Sequence, residues 1–183
     1  MVSMLMALGA TIYKVDITLS NMNSHYYRDF NLTMAKHPSE SEERMMYRLL
    51  AFLYSAHDDL EFTKGLSATD EPELWRKGYS GEILQWVELG EPDEKRIRQA
   101  AGKSEEVAVF TSQSIENVEK WFNKIRNKIP KEKVKIHHLS VNENGPVDKF
   151  VERGMKLSCM IDSNQMFLGN DNERIGIEVI NKL

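Results

Sequence analysis

Between Glu82 and Val141 the hydrophobic period of the chain changes repeatedly, and this succession limits the possible folds more than any other feature. "EILQWVELG" (Glu82 to Gly90) is apolar on both faces, as a central strand is. After a "GEPD" turn, "DEKRIRQAAGKS" reads as a helix and "EVAVFT" as a buried strand. "SIENVEKWFNKIRNKI" is then an amphipathic helix carrying Ile115, Val118, Trp121, Phe122 and Ile125, and "VKIHHLSV" is a further strand. Strand, helix, strand, helix, strand predicts a parallel portion of sheet with right-handed crossovers.

The flanking segments add to this sheet. "ATIYKVDITL" (Ala10 to Leu19) and "YYRDFNLTMAKH" (Tyr26 to His37) alternate apolar and polar residues around an Asn/Ser turn, which predicts an antiparallel hairpin. In "HPSESEERMMYRLLAFLYSA" the residues Met46, Leu49, Leu50 and Leu53 are spaced for one face of a helix, with Ser39 as the expected cap and Glu42 completing a capping box. "LEFTKG" reads as a short strand, and "SATDEPELWRKG" as a short helix capped by Asp70, with Pro72 in its first turn and its end at Gly78. The tail predicts a short helix near "PVDKFVERG" and three strands, "MKLSCMID", "QMFLGN" and "RIGIEVI". The expectation is an α/β (α+β) chain, a mixed central β-sheet flanked by helices, in one domain over residues 1–183.

Composition narrows the function classes. Twenty-four basic against 28 acidic side chains, a formal charge of −4, argue against tight non-specific binding to nucleic acid but leave room for a local basic groove. The single cysteine, Cys159, excludes an internal disulfide framework and reads as a buried strand thiol. No run reaches the roughly 18 apolar residues of a membrane span, so a cytoplasmic protein is expected. Met6 opens "MALGATIYK", a sensible alternative start, so Met1 to Leu5 are read as an extension.

Function is sought where acids break the burial pattern, because a buried carboxylate needs a partner, a proton or a metal. Alternation along "ILQWVEL" places Glu88 on one face with Leu84 and Trp86, at the carboxyl end of a central strand. Glu43 continues the apolar stripe of the first helix and is expected to point inward. Asp70 is a helix cap on pattern alone, or a third acid converging with the other two on a divalent cation. Asp93 reads as the cap of the next helix. His137 and His138 point to opposite faces of a strand, and Arg44 and Arg48 read as a solvated helix face.

The strings "HPSESEERMMYRLLAFL", "DEPELW" and "WVELGEPDEKRI", with "ATIYK" before them and "EVAVFT" after, resemble the YaeQ family of bacterial proteins over nearly the whole chain from Met6. The resemblance implies a restriction-endonuclease-like core similar to the PD-(D/E)xK nuclease superfamily. Its first acid would then correspond to Asp70, its second to Glu88 and its helix acid to Glu43, with Asp70 and Glu88 holding Mg²⁺ or Mn²⁺. Gly90 departs from the pattern, since a lysine belongs two residues after the second acid. A basic residue of the following helix would replace it, with Arg96 preferred over Lys95 and Lys103. The implied activity is metal-dependent hydrolysis of a phosphodiester, with nucleic acid as partner and no membrane. A catalytically inactive nucleic-acid- or protein-binding regulatory module on the same fold is the alternative, and the oligomeric state stays open.

Overall fold

The computed structural model describes residues 9–65 and 68–183, with Glu143 described by its backbone alone. The expected extension Met1 to Leu5 lies outside the described residues. The chain has a mixed α+β fold, with one large, nearly closed ten-stranded sheet and, among the described residues, three α-helices.

The predicted hairpin is β1 (Thr11–Asn21) and β2 (Tyr26–Lys36), antiparallel over its full length. Helix α1 (Glu42–Tyr54) follows, then β3 (Leu60–Phe62), β4 (Leu74–Lys77) and β5 (Ile83–Leu89). The expected alternation continues through α2 (Glu94–Lys103), β6 (Ser104–Thr111), α3 (Ile115–Ile125) and β7 (Val134–Glu143). A 3₁₀ turn at Val147–Phe150 stands where the short helix was expected, before β8 (Gly154–Asp162), β9 (Gln165–Gly169) and β10 (Arg174–Asn181). Strands β5, β6 and β7 are parallel neighbours, as the alternation predicts, and β1 pairs parallel with β8. The strand order is β2-β1-β8-β9-β10-β7-β6-β5-β4-β3.

Helix α1 is more deeply enclosed than a single apolar face predicts. Every residue from Met45 to Leu53 is buried, and a helix buried all round belongs inside a fold rather than on it. Its core is shared with inward residues from both ends of the sheet order, including Met34 of β2 and Leu60 of β3. The Phe52 ring of α1 meets Phe30 of β2 edge-on at 5.2 Å and stacks on Phe62 of β3 at 5.0 Å. One side chain therefore touches the first and the last strand of the sheet, which curls round the helix. The outer face of β5, β6 and β7 carries a second core, in which Trp86, Val107, Val109 and Ile136 meet Ile97 and Ala100 of α2 and Ile125 of α3. Ile115, expected in the apolar stripe of α3, is 50% exposed.

Two local expectations are corrected. The cap of α1 is Ser41, whose hydroxyl accepts from the Arg44 amide at 3.1 Å, while the Ser39 hydroxyl bonds to the His37 ring. No helix forms between Asp70 and Gly78: the segment turns at Thr69 and Asp70 and enters β4, which pairs antiparallel with β5. An acid, a proline and a second acid suit a turn into a strand as well as a helix start, and pairing with β5 decides between them.

Candidate functional site

Six charged side chains gather where the start of α1, the lead-in to β4, the end of β5 and the first turn of α2 meet. On the α1 side, Arg48 is 4% exposed and grips Glu40, 5% exposed, through two guanidinium nitrogens at 3.2 and 2.9 Å. The same guanidinium donates to the Ala35 carbonyl at 2.9 Å. Arg44, one turn earlier, donates to Glu40 at 2.9 Å and to Glu73 at 2.5 Å. Burial works against the charge of Arg44, but Glu73 and Glu40 outweigh it and hold the group firmly protonated. The expected solvated face of Arg44 and Arg48 is thus corrected: their partners come from Glu40, upstream of the helix, and from Glu73, on the approach to another strand. Buried charges survive only when paired, and here each is.

On the α2 side, Glu88 is 7% exposed and shares its strand face with Trp86, as alternation predicts. The indole N–H of Trp86 donates to Glu88 Oε1 at 2.6 Å, and Arg96 Nε donates to the same oxygen at 2.7 Å. Arg96 also donates to the carbonyls of Thr69 and Glu71, so one guanidinium fastens the turn before β4 to the carboxylate of β5. Asp93 holds that arginine in register by accepting from the Arg96 amide at 2.7 Å, the cap expected of it. Burial pushes the Glu88 carboxyl upward, the Trp86 and Arg96 contacts pull it down, and Glu73 pushes it up again; the net direction is upward.

The two groups meet at the sheet. The Glu73 amide donates to the Val87 carbonyl at 2.9 Å, which sets Glu73 beside the β5 segment that carries Glu88. Glu73 Oε2 is buried without a hydrogen-bond partner, its nearest cation being Arg48 Nε at 4.0 Å. Among the described residues Glu88 accepts through Oε1 alone. Each carboxylate therefore keeps one oxygen free of hydrogen bonds among the described residues, which suits a hard cation held by two carboxylates with its remaining positions on water or phosphate.

Of the expected site residues, Glu88 and Arg96 come together. Glu43 does not join them, and its expected inward orientation is corrected: it is exposed and lines a cavity of about 360 Å³ with Arg44, Gly90, Glu91, Ser112 and Ser114. Asp70 is also exposed, in the turn whose flanking carbonyls Arg96 holds. Among the described residues no three His, Cys, Asp or Glu side chains are placed to hold one metal ion, so Glu43, Asp70 and Glu88 do not form the expected triad. The residues missed were Glu40, Arg44, Arg48 and Glu73. The available signal was Pro72-Glu73 three residues after Asp70, an acid one position before the buried Leu74.

Cys159, His137 and His138 are buried in strands. The Cys159 thiol is pushed up to about 12 by burial, as suits a strand thiol. His137 and His138 take different partners, Asn181 at 2.6 Å and Thr111 at 3.0 Å. No helix among the described residues is long and apolar enough to cross a membrane.

Known proteins share this chain's sequence and fold. Residues 6–179 match the family model described as YaeQ protein. The uncharacterized protein YaeQ of Escherichia coli strain K12 is 37% identical over 175 residues, covering 95% of this chain and 96% of that protein. The Salmonella typhi protein of the same name is 35% identical over the same shares. The crystal structure of YaeQ protein from Xanthomonas axonopodis pv. citri superposes with a TM-score of 0.89 at 34% identity, covering 94% of this chain and 98% of that one. That from Pseudomonas syringae superposes at 0.83 and 28%, covering 95% and 96%. On sequence and fold together, the chain belongs to the YaeQ family.

Proposed function

We propose that this protein is a nuclease-like phosphodiesterase, dependent on Mg²⁺ or Mn²⁺ and acting on nucleic acid, with a restriction-endonuclease-like core. One observation carries the reading: Glu73, on the lead-in to β4, and Glu88 of β5, both buried, each keep an unbonded carboxylate oxygen, and Glu73 acts electrostatically on Glu88. In this reading Glu73 takes the place first expected for Asp70. When bound, the cation would lower the pKa of a coordinated water and stabilise charge on the phosphorus. Arg44 and Arg96 serve as phosphate ligands, since a guanidinium binds phosphate bidentately and is no base. Arg44 is 28% and Arg96 24% exposed at the side chain, so an incoming phosphate reaches both. Trp86 fixes Glu88 from behind through its indole N–H.

The test is calorimetry with Mn²⁺ on the wild type, Glu73→Gln and Glu88→Gln, followed by cleavage assays on single-stranded, duplex and structured nucleic acids. Binding to the wild type is expected to be lost in both variants. No heat of binding in the wild type sinks the enzyme reading.

A binding module without turnover is the second reading. It is favoured by the pairing of Glu40, Glu73 and Glu88 with Arg44, Arg48 and Arg96, which leaves little net negative charge to attract a cation, and by Gly90 in place of a lysine. Mn²⁺ binding without cleavage of any substrate selects it.

A further inference from the structure

The chain is acidic overall, yet its charge is unevenly distributed. Residues 94–135 hold eleven of the 24 Lys and Arg but only six of the 28 Asp and Glu, a local charge of +5 within a chain of −4. That segment contains α2 and α3, the layer lying over the outer face of β5, β6 and β7. Packing decides where its charges point. Ile97, Ala100 and Ala101 turn α2 inward, and Val118 and Ile125 do the same for α3, so Lys95, Arg98, Lys124, Arg126 and Lys131 are all exposed. No side chain of these five makes a hydrogen bond or ion pair among the described residues. Between α2 and the loop after α3 runs a groove of about 680 Å³, with Arg98 on one wall and Lys128 on the other. Lys128 reaches across it to Glu94 at 2.9 Å.

We infer that this outer layer is a docking surface for the phosphate backbone of a nucleic acid, with the groove between Arg98 and Lys128 as its centre. The inference deepens the reading above and rests on it for the class of partner, but not on turnover. Exposed cations without protein partners can exchange their water and counterions for phosphates, and released counterions favour binding. The same α2 carries Arg96 in its first turn, so a backbone lying along the layer leads toward Glu88. The rest of the chain, net −9 by difference, repels the same polyanion and selects this face.

The experiment measures binding of a labelled 20-base-pair duplex and of its single strand by fluorescence anisotropy between about 50 and 200 mM salt. The proteins are the full chain, Arg98→Gln/Arg126→Gln/Lys131→Gln and Arg98→Lys/Arg126→Lys. The neutralised triple variant is expected to lose at least about tenfold in affinity at 100 mM salt, and the slope of log K against log salt is expected to fall by about three for the duplex. The charge-keeping double variant is expected to bind as the wild type does. All substituted side chains on this face are exposed, and an unchanged melting temperature confirms folding.

A wild type that binds neither nucleic acid, or a triple variant with unchanged affinity and slope, overturns the inference even where cleavage is found. Equal or tighter binding of poly-glutamate also overturns it, in favour of an acidic protein partner. Salt-dependent binding that the triple variant loses, with no cleavage by any form, upholds the surface and removes turnover from the proposed function.

Discussion

Gly90 explains at the scale of one residue why the expected lysine is missing. Its φ is +100°, and its amide donates to the Phe110 carbonyl at 2.8 Å as the chain leaves β5. A Cβ there would meet nothing within 4 Å, so the obstacle is backbone conformation and not space. Gly90→Lys is therefore expected to cost roughly 1–3 kcal/mol of stability, the strain of a side chain in a glycine-favoured region. Denaturant titration reads it, and an unchanged midpoint refutes it. Glu88 two residues earlier gives a pH prediction. A carboxyl raised in the folded state contributes stability that is fully present below its unfolded value and lost as pH rises through the folded value. The stability of wild type minus that of Glu88→Gln should accordingly fall as pH rises from about 4 toward neutrality, with 4.5 as the ordinary carboxyl value. A rise over the same range would mean that Arg96 outweighs burial.

At the scale of elements, the strands and helices from Glu82 to Val141 were legible because their signals are local. The Asp93 cap, the alternation of Trp86, Val87 and Glu88, and the inward face of α2 each depend on neighbours a few residues away. Helix α1 was legible as a helix but not as an enclosed one, since Arg44 and Arg48 look like solvent contacts until the sheet closes over them. The partners of Arg48 come from the Glu40 side chain and the Ala35 carbonyl, and no periodicity encodes that pairing. The turn from Thr69 to Pro72 failed for the opposite reason. Its cap-like residues are a true local signal, but pairing of Leu74 and Trp75 with β5 overrides it. The same contrast sorts the ion pairs by value. Arg48→Met leaves Glu40 buried and short of one guanidinium, so it is expected to cost about 3–5 kcal/mol. Lys120→Ala removes a pair whose side chains are 65% and 74% exposed, and its effect should stay below the error of the thermal unfolding measurement that reads both variants. Comparable losses in the two variants would show that enclosure of α1 contributes nothing to the Arg48 pairing.

For the whole molecule, the ten strands form an open order whose ends, β2 and β3, are joined through α1 rather than to each other. Phe52 is the central link, between Phe30 and Phe62. A polar clasp lies outside it, where Tyr26 donates to Asp58 at 2.7 Å and Arg28 approaches the same carboxylate at 3.6 Å. Burial and Asp58 together push the Tyr26 phenol up to about 12, so the clasp holds its proton throughout the neutral range. The apolar link should dominate, because it is buried and the Arg28–Asp58 pair is half exposed. Phe52→Ala is expected to cost about 3–5 kcal/mol, and Tyr26→Phe about 1 kcal/mol. Hydrogen exchange locates the damage. If the sheet closes as one cooperative unit around α1, Phe52→Ala accelerates amide exchange in both β2 and β3, although the two strands are farthest apart in the sheet order. Acceleration in β3 alone would mean that the short end strand detaches locally while β2 remains held by its eleven-residue pairing with β1, and that closure adds no stability to the fold as a whole.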